Sequence, residues 1–255
     1  MSILARSVSV GVAVVAVLTL SASVQAQDAP RPFSMVTYYQ CAQGDTDRAD
    51  AIVKELMVPY LKAEQAAGHV IGFGWNEHVE GGEWRRVLYV TGTSLDALVD
   101  VREGLGKVRE APANVKAFAE FGRACPSHDD YFWRSKSGSQ AAGDVGRARS
   151  AFAMSTYYVC DPNESEADGL VESVMAPVLN QRVKAGQIDS WNWMEHIFGG
   201  QYRRLLVIDG KDEKALLRNW DSMQADLQKA SPDLSRRLGA ICHGHADYIW
   251  RRGLN

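Results

Sequence analysis

The chain of 255 residues repeats itself once. Residues 33–134 and residues 151–251 each carry a T-Y-Y-x-C motif near the start, a Gly-Gly pair followed closely by two arginines, and an H-x-D-Y-x-W-R motif near the end. A repeat of about a hundred residues is too long for a solenoid unit, so each copy should be a small domain with its own core. The duplication therefore predicts two similar domains that pack as an internal pseudo-dimer.

Residues 1–26 have the pattern of a signal peptide. Arg6 supplies a positive charge, residues 8–20 form an apolar run that is short for a membrane span, and small residues lead up to Ala26. No cysteine follows the apolar run in this region, which argues against a lipid anchor. We expect a periplasmic or secreted protein without stable membrane insertion. A formal net charge of -3 also disfavours a nucleic-acid partner.

Four cysteines are placed symmetrically in the two copies. In each copy one cysteine ends the T-Y-Y-x-C motif, and the other precedes the H-x-D-Y-x-W-R motif. In an oxidising compartment a disulfide within each copy would close a loop of about 85 residues and contribute roughly 4 kcal/mol. A metal site is the weaker alternative, because no C-x-x-C pair is present although His243 and His245 flank the last cysteine. The predicted pairs are Cys41 with Cys125 and Cys160 with Cys242.

The hydrophobic patterns predict the element order β-α-β-β-α-β in each copy. In the first copy strands are expected at residues 33–41, 70–78, 84–91 and 128–134, with helices at 47–67 and 94–124. In the second copy strands are expected at residues 152–160, 188–196, 202–209 and 245–251, with helices at 166–185 and 213–241. This is the order of a ferredoxin-like domain, in which the first and last strands are antiparallel neighbours. That neighbourhood is also what the predicted disulfides require.

Two further segments shape the expected assembly. Pro59 and Pro177 occupy the same place in the first helix of each copy, where a proline should kink the helix or split it. Residues 135–150 are rich in Gly, Ser and Ala and are expected to form a flexible linker. We expect either a monomer with an internal pseudo-dimer or a homodimer that exchanges copies across the linker.

Strand segments such as residues 87–90 and 205–208 are apolar or aromatic on both faces, so the sheets should be covered on both sides. Over residues 33–251 the chain resembles the dimeric α/β-barrel superfamily, in which two ferredoxin-like units press their sheets together. That superfamily includes antibiotic-biosynthesis-type monooxygenases, EthD-like proteins, chlorite dismutases and dye-decolourising peroxidases. The resemblance implies an α+β fold with a cavity between the two sheets. It is one of architecture, and no subfamily's catalytic motif is matched.

The candidate catalytic residues are polar residues that both copies keep. Strand alternation places Trp75 and Glu77 on one face and His78 on the other, with Arg86 across the hairpin. A Glu-Arg contact across the strands could simply hold the turn together. A carboxylate, an imidazole and a guanidinium near a cavity mouth could instead serve as acid, base and anion holder, and metal binding by Glu and His is a third interpretation. The full candidate set is Glu77, His78, Arg86, Glu195, His196 and Arg204.

Candidate ligand-binding residues come from the aromatic motifs. In the H-x-D-Y-x-W-R motif an Asp could orient the His as a base or metal ligand, although an ordinary hydrogen bond on an edge strand is the simpler interpretation. The repeated tyrosines and tryptophans could line a pocket for a flat molecule, or they could pack in the core. The predicted ligand-binding residues are Tyr39, Trp75, His128, Tyr158, Trp193 and His245.

Three functional classes remain open. The first, which we favour, is an exported binder of an aromatic or partly apolar small molecule in the inter-sheet cavity, or an enzyme that acts on it without a cofactor. The second is a haem- or metal-binding protein, although none of the six histidines lies convincingly within a predicted helix. The third is a non-catalytic periplasmic accessory or interaction module, because structural residues are the ones that both copies must keep. Phosphate-binding loops, G-x-S-x-G and H-E-x-x-H motifs are missing from the sequence.

Departures between the copies are the remaining clue. The first copy has Gly72, Phe73 and Gly74 where the second has a bulkier, more polar strand. Glycines in a strand can leave space or allow a close approach, so the first copy is favoured as the half that carries a pocket. The corresponding residues of the second copy are Ser190, Trp191 and Asn192.

Overall fold

The computed structural model describes residues 31–140 and 150–254. The predicted signal peptide lies outside these residues. The elements of the first copy are β1 (Phe33–Gln40), α1 (Thr46–Ile52), α2 (Val58–Ala66), β2 (Gly72–Gly81), β3 (Arg86–Gly92), α3 (Leu95–Glu110), α4 (Val115–Ala124) and β4 (Ser127–Gln140). Those of the second copy are β5 (Phe152–Val159), α5 (Glu164–Leu170), α6 (Ala176–Lys184), β6 (Ser190–Gly199), β7 (Arg204–Gly210), α7 (Glu213–Ala230), α8 (Leu234–Ile241) and β8 (Gly244–Leu254).

All eight strands form one closed antiparallel barrel in the order β1-β3-β2-β8-β5-β7-β6-β4. Four neighbouring strands come from each copy, and the β2–β8 and β4–β6 pairs join the two groups. Closure removes the unpaired sheet edges that would otherwise attract another strand. The predicted α+β class is confirmed.

Apolar side chains form three clusters because the strands are apolar on both faces. Two clusters lie between the barrel wall and the helices, one for each copy. The third cluster is aromatic and lies inside the barrel. Alternation along β1 shows the division, since Tyr38 belongs to the inner cluster and Tyr39 packs against the outer one. The inner cluster closes one end of the barrel and leaves the other end open.

The first helix of each copy is split, as the prolines predict. A π-helical turn, Val53–Met57, separates α1 from α2, and Pro59 lies in the first turn of α2. Pro59 has no N–H to donate to the carbonyl of Glu55, so the regular helical hydrogen bond cannot form there. The second copy repeats the arrangement with a π-helical turn at Val171–Met175 and Pro177 at the start of α6.

Both predicted disulfides are confirmed: Cys41 bonds Cys125 and Cys160 bonds Cys242. The strand register explains the pairing, because the end of the first strand of each copy lies opposite the start of the last strand. Gln40 faces Ser127 in the β1–β4 pair, and Val159 faces Gly244 in the β5–β8 pair.

The expected linker is partly a strand. β4 continues through residues 135–140, where its backbone pairs with β6, and Gly138 lies opposite Asn192. The Gly and Ser content of this segment suggested flexibility, but pairing with a neighbouring strand overrides a weak local preference. The rest of the predicted linker, residues 141–149, lies outside the described residues. Within the described residues, no helix has both the length and the hydropathy of a membrane span.

Candidate functional site

The predicted contact between Glu77 and Arg86 is wrong, although the two residues face each other in the β2–β3 register. The guanidinium of Arg86 instead binds Asp50 of α1, with Nε 2.7 Å from Oδ1 and Nη2 2.8 Å from Oδ2. The indole N–H of Trp75 donates to the same carboxylate at 2.6 Å. Glu77 accepts a hydrogen bond from Arg251 of the other copy at 2.9 Å. Asp50 binds Arg86 through both of its carboxylate oxygens, and such a bidentate contact is stronger than a single contact with Glu77 on the neighbouring strand.

The second copy builds the same contacts around Asp168 of α5. Arg204 donates to Asp168 from Nε at 2.7 Å and from Nη2 at 2.9 Å, and Trp193 donates from Nε1 at 2.8 Å. Lys136 adds an ammonium 3.0 Å from Asp168 and 3.3 Å from Glu195. Burial alone would raise the pKa of Asp168, but hydrogen bonds from Arg204, Trp193 and Lys136 outweigh it and lower that pKa. This arrangement ties a strand to a helix.

The predicted catalytic imidazoles lie apart from these carboxylates. His78 contacts the carbonyl of Gly81, and its ring packs against Tyr248 and Trp250 of the inner aromatic cluster. His196 packs in the same way at the equivalent place in the second copy. Burial lowers the pKa of both imidazoles. The alternation expected for Glu77 and His78 holds, and it separates the acid from the base.

The predicted ligand-binding residues come together within each copy, but outside the barrel. Tyr39 lies 5.4 Å from Trp75 and 5.7 Å from His128, measured between ring centroids, and it also packs on Phe121 of α4. The second copy repeats this set with Tyr158 5.5 Å from Trp193 and 6.1 Å from His245. In both sets the tyrosine and the tryptophan pack in the outer core beneath the helices, whereas the histidine is exposed.

The two His-Asp pairs of the last strands are present and exposed. His128 lies 3.4 Å from Asp130, and His245 lies 3.2 Å from Asp247. Each Asp also accepts a hydrogen bond from a threonine of the neighbouring strand at 2.7 Å. These pairs therefore support strand pairing on the outer surface.

The open end of the barrel holds a cavity of about 1450 Å³. Its floor is aromatic, formed by Tyr38, Tyr157 and Trp250 of the inner cluster, and its walls carry apolar and small polar side chains. None of the predicted catalytic or ligand-binding residues lines it. The cavity therefore depends on residues that the sequence motifs did not single out.

Arg252 is the central polar residue of this cavity. Its Nη1 donates to the hydroxyl of Tyr89 at 3.1 Å, and its Nη2 donates to Oδ1 of Asp209. Gly74 makes the first contact possible, because a Cβ there would lie 2.7 Å from the Tyr89 ring. The second oxygen of Asp209 accepts from Ser190 at 2.5 Å. One guanidinium thus joins a tyrosine of the first copy to a carboxylate of the second.

The ion pair is held tightly. Burial alone would lower the pKa of the Arg252 guanidinium, but the Asp209 carboxylate and Tyr89 raise it, so Arg252 stays charged. Its Nε is buried and has no hydrogen-bond partner within the described residues. Asn76 lies directly opposite Arg252 in the β2–β8 register and also lines the cavity.

The polar residues of the cavity differ between the copies. When the shared motifs are aligned, the second copy has apolar residues at the positions of Tyr89 and Asn76, and the first copy has neutral residues at those of Asp209 and Arg252. The sequence differences between the two copies on the inner face of the strands could therefore have located the cavity. The first copy does not carry the pocket alone, because both copies line it. The counterpart of Tyr89 is Val207 and that of Asn76 is Met194. The counterpart of Asp209 is Thr91 and that of Arg252 is Ser135.

The cavity can offer a proton acceptor, the Asp209 carboxylate, and a hydroxyl donor, the Tyr89 phenol. All six histidines lie in the described part of the chain, and none of them lines the cavity. The lining residues therefore do not fit a haem iron held by histidine. The described residues also contain no group of three or more His, Cys, Asp or Glu side chains that could hold a metal ion.

Comparison with known proteins identifies the fold. No protein-family model and no curated protein sequence matches the chain. Among solved structures, an anthrone oxidase-like protein aligns with a TM-score of 0.60 at 10% identity, over 89% of this chain and 92% of its own. The chain has the dimeric α/β-barrel fold. A monooxygenase candidate from Fusobacterium nucleatum aligns with a TM-score of 0.59 at 9% identity, over 88% and 93% of the two chains.

A third dimeric α/β-barrel structure shows how varied the chemistry on this fold can be. A chlorite dismutase variant from Candidatus Nitrospira defluvii aligns with a TM-score of 0.55 at 11% identity, over 88% of this chain and 92% of its own. At such identities the likeness concerns the fold, and the function must be argued from the site.

Proposed function

We propose that this chain is an exported protein that binds an aromatic or partly apolar small molecule in the barrel cavity. In this proposal two ferredoxin-like repeats in one chain form the barrel as an internal pseudo-dimer, so a monomer holds a complete site. The names of its structural neighbours, an anthrone oxidase-like protein and a monooxygenase candidate, are compatible with a small aromatic ligand. An enzyme that acts on this ligand without a cofactor is the second form of the same proposal.

The cavity is the observation that carries the proposal. Small-molecule sites are usually concave, mostly apolar and fitted with a few polar groups that fix orientation. Here an aromatic floor of Tyr38, Tyr157 and Trp250 faces an opening that carries Arg252 and Asp209. A flat ring can pack on the floor while its polar substituent faces the polar wall.

Export is supported by two independent features. Residues 1–26 have the pattern of a signal peptide. Two disulfides bond all four cysteines, and such bonds persist in oxidising compartments. The catalytic form of the proposal is supported by Asp209 and Tyr89, which place a proton acceptor and a hydroxyl donor on the same cavity wall.

The test is native mass spectrometry of protein exported to a bacterial periplasm, offered a panel of bicyclic and tricyclic aromatic compounds. We expect a mature chain that begins at Gln27, carries two disulfides and binds one ligand. In the double variant Val207→Tyr, Asn192→Gly, the second copy acquires the residues of the first, and the added phenol ring takes up part of the cavity. It should bind the ligand more weakly than the wild type, and loss of the Ser135–Asn192 hydrogen bond should lower its thermal stability only modestly.

The outcomes separate the forms of the proposal. A recovered ligand of changed mass would identify an enzyme, and an unchanged ligand would identify a binder. Undiminished binding by this double variant would contradict the cavity as the site. A chain that keeps residues 1–26 in the periplasm would contradict the signal peptide.

A further inference from the structure

We propose that the ligand of the cavity is uncharged, and that it is held through a hydrogen bond to Asn76 while the Arg252–Asp209 pair excludes ligand anions. This inference rests on the proposed function, since it assumes that the cavity binds a small molecule. It goes further by naming the charge of the ligand and the residue that selects it.

The arginine of the cavity is already neutralised. Both terminal nitrogens of Arg252 are engaged, one by Asp209 and one by Tyr89, and its Nε is buried. Both oxygens of Asp209 are engaged as well, by Arg252 and Ser190. Each terminal nitrogen still carries one N–H, but a ligand carboxylate that reached it would lie beside the Asp209 carboxylate and be repelled. A ligand carboxylate that displaced Asp209 would leave that carboxylate without its partner in a partly buried place. The pair therefore orders the cavity wall without attracting a ligand anion.

The remaining charges are balanced and lie at the mouth. Among the described residues that line the cavity, the only other charged side chains are Asp189, just before β6, and Lys211, just after β7. Asp189 accepts a hydrogen bond from Ser150 at 2.6 Å. With one charge of each sign at the rim and one of each sign within, the cavity favours neither anions nor cations.

Asn76 is the polar group without an internal partner. The residue is only 5% exposed, and its side chain lines the cavity and has no hydrogen bond within the described residues. Amides in protein interiors almost always have a hydrogen-bond partner, so a carboxamide that faces a cavity without a protein partner is available to a molecule that enters from outside. The second copy has the apolar Met194 at this position, which shows that the barrel does not need an amide there. A carboxamide both donates and accepts, and so it suits a neutral hydroxyl or carbonyl.

Three bicyclic probes test the inference at neutral pH: naphthalene, the neutral hydroxyl compound 2-naphthol, and the anion 2-naphthoate. Dissociation constants are measured by titration calorimetry. For the wild type we expect 2-naphthol to bind about tenfold more tightly than naphthalene, as one hydrogen bond to a buried amide provides. We expect 2-naphthoate to bind more weakly than both.

Two variants assign this order to residues. Asn76→Met, which copies the residue of the second copy, should remove the advantage of 2-naphthol and leave naphthalene binding unchanged. Asp209→Asn frees the guanidinium of Arg252, and 2-naphthoate should then become the tightest probe. Asp189→Asn is the matched control, because it removes a carboxylate at the mouth that does not bind Arg252. It should leave 2-naphthol as the tightest probe, because the unbalanced charge of Lys211 lies at the exposed mouth, where solvent screens it.

Wild-type protein that binds 2-naphthoate as tightly as 2-naphthol would overturn the inference, as would an Asn76→Met variant that keeps the wild-type order. Either result would leave the proposed function standing, because the cavity would still bind aromatic probes. Failure of all three probes to bind the wild type would overturn the proposed function, and the inference with it. If Asp209→Asn does not fold, the Asn76→Met variant still tests the inference by itself.

Discussion

Trp75 and Trp193 show what the residues shared by the two copies do. Each indole donates to a carboxylate on the first helix of its copy, and that carboxylate also binds an arginine of the neighbouring strand. The two carboxylates differ in burial, since the side chain of Asp168 is 9% exposed and that of Asp50 is 35% exposed. The repeated residues therefore fasten helix to barrel, and the buried pair should contribute more.

This difference gives a test with a built-in control. Asp168→Asn removes the bidentate partner of the buried Arg204 guanidinium and leaves it only Glu164, at 3.4 Å, so we expect it to reduce the free energy of unfolding by about 3 kcal/mol in urea. Asp50→Asn, at the equivalent but more exposed position, should cost less. Aromatic ligands should bind both folded variants as they bind the wild type. Loss of ligand binding by a folded Asp168→Asn variant would instead indicate a functional site between the barrel wall and the helices.

At the scale of the elements, the β2–β8 and β4–β6 pairs hold the two copies together. Each pair contains two shifts of register, and two of these are equivalent: the one between Trp75 and Asn76 in the β2–β8 pair and the one between Ser135 and Ser137 in the β4–β6 pair. The residue at the second shift is Lys136, whose ammonium reaches Asp168 and Glu195. Its counterpart in β8 is Gly253, where a Cβ would lie 2.4 Å from the carbonyl oxygen of Trp75. The β4–β6 pair therefore carries an extra charge contact.

The stability of the β4–β6 pair should depend on pH. Burial alone would raise the pKa of Glu195, but Arg134 and Lys136 outweigh it and lower that pKa below its ordinary value of 4.5. A carboxyl whose pKa is lower in the folded state stabilises the fold above its ordinary pKa, and this contribution is lost as the pH falls through the folded-state pKa. The difference in free energy of unfolding between wild type and Glu195→Gln should therefore be largest near neutral pH and shrink in acid.

Glu77→Gln is the matched control for this measurement. Glu77 holds the equivalent place in the β2–β8 pair, but it and its partner Arg251 are half exposed, so the variant should change stability little at any pH. A Glu195→Gln effect that stays constant down to strongly acidic pH would contradict the role given to Lys136 and Arg134.

Much at this scale could be predicted from the sequence. The T-Y-Y-x-C and H-x-D-Y-x-W-R motifs located the paired strands, and strand order then gave both disulfides. Pro59 predicted the split helix because a missing N–H is a local property. Asp50 escaped notice, because an acidic residue in an amphipathic helix is ordinary and its partners lie on a distant strand.

The cavity could not be located in the same way. Arg251 and Arg252 are adjacent, and alternation places them on opposite faces, but both faces of the strand are apolar. The sequence therefore does not say which face lies inside the barrel. Only closure of the barrel shows that Arg252 meets Tyr89 and Asp209. Repetition drew attention to Arg251 instead, which binds Glu77 on the outside.

The whole molecule combines a repeated framework with an interior that is not repeated. The closed end of the barrel is filled by stacked rings, with Tyr38 and Trp84 4.1 Å apart and Trp84 and Tyr248 4.9 Å apart between centroids. The open end carries one guanidinium and one inward carboxylate, each supplied by the second copy. Such an interior offers one orientation to a ligand, so the molecule should bind one ligand per chain although its framework is double.

We place the ligand site inside the barrel and not beneath the helices. The most direct test is a crystal structure of the protein with 6-bromo-2-naphthol, in which anomalous scattering locates the bromine atom. We expect a single bromine peak per chain within the barrel, with the naphthol ring on the floor formed by Tyr38, Tyr157 and Trp250. A peak between the barrel wall and the helices, beside Trp75 or Trp193, would contradict this placement.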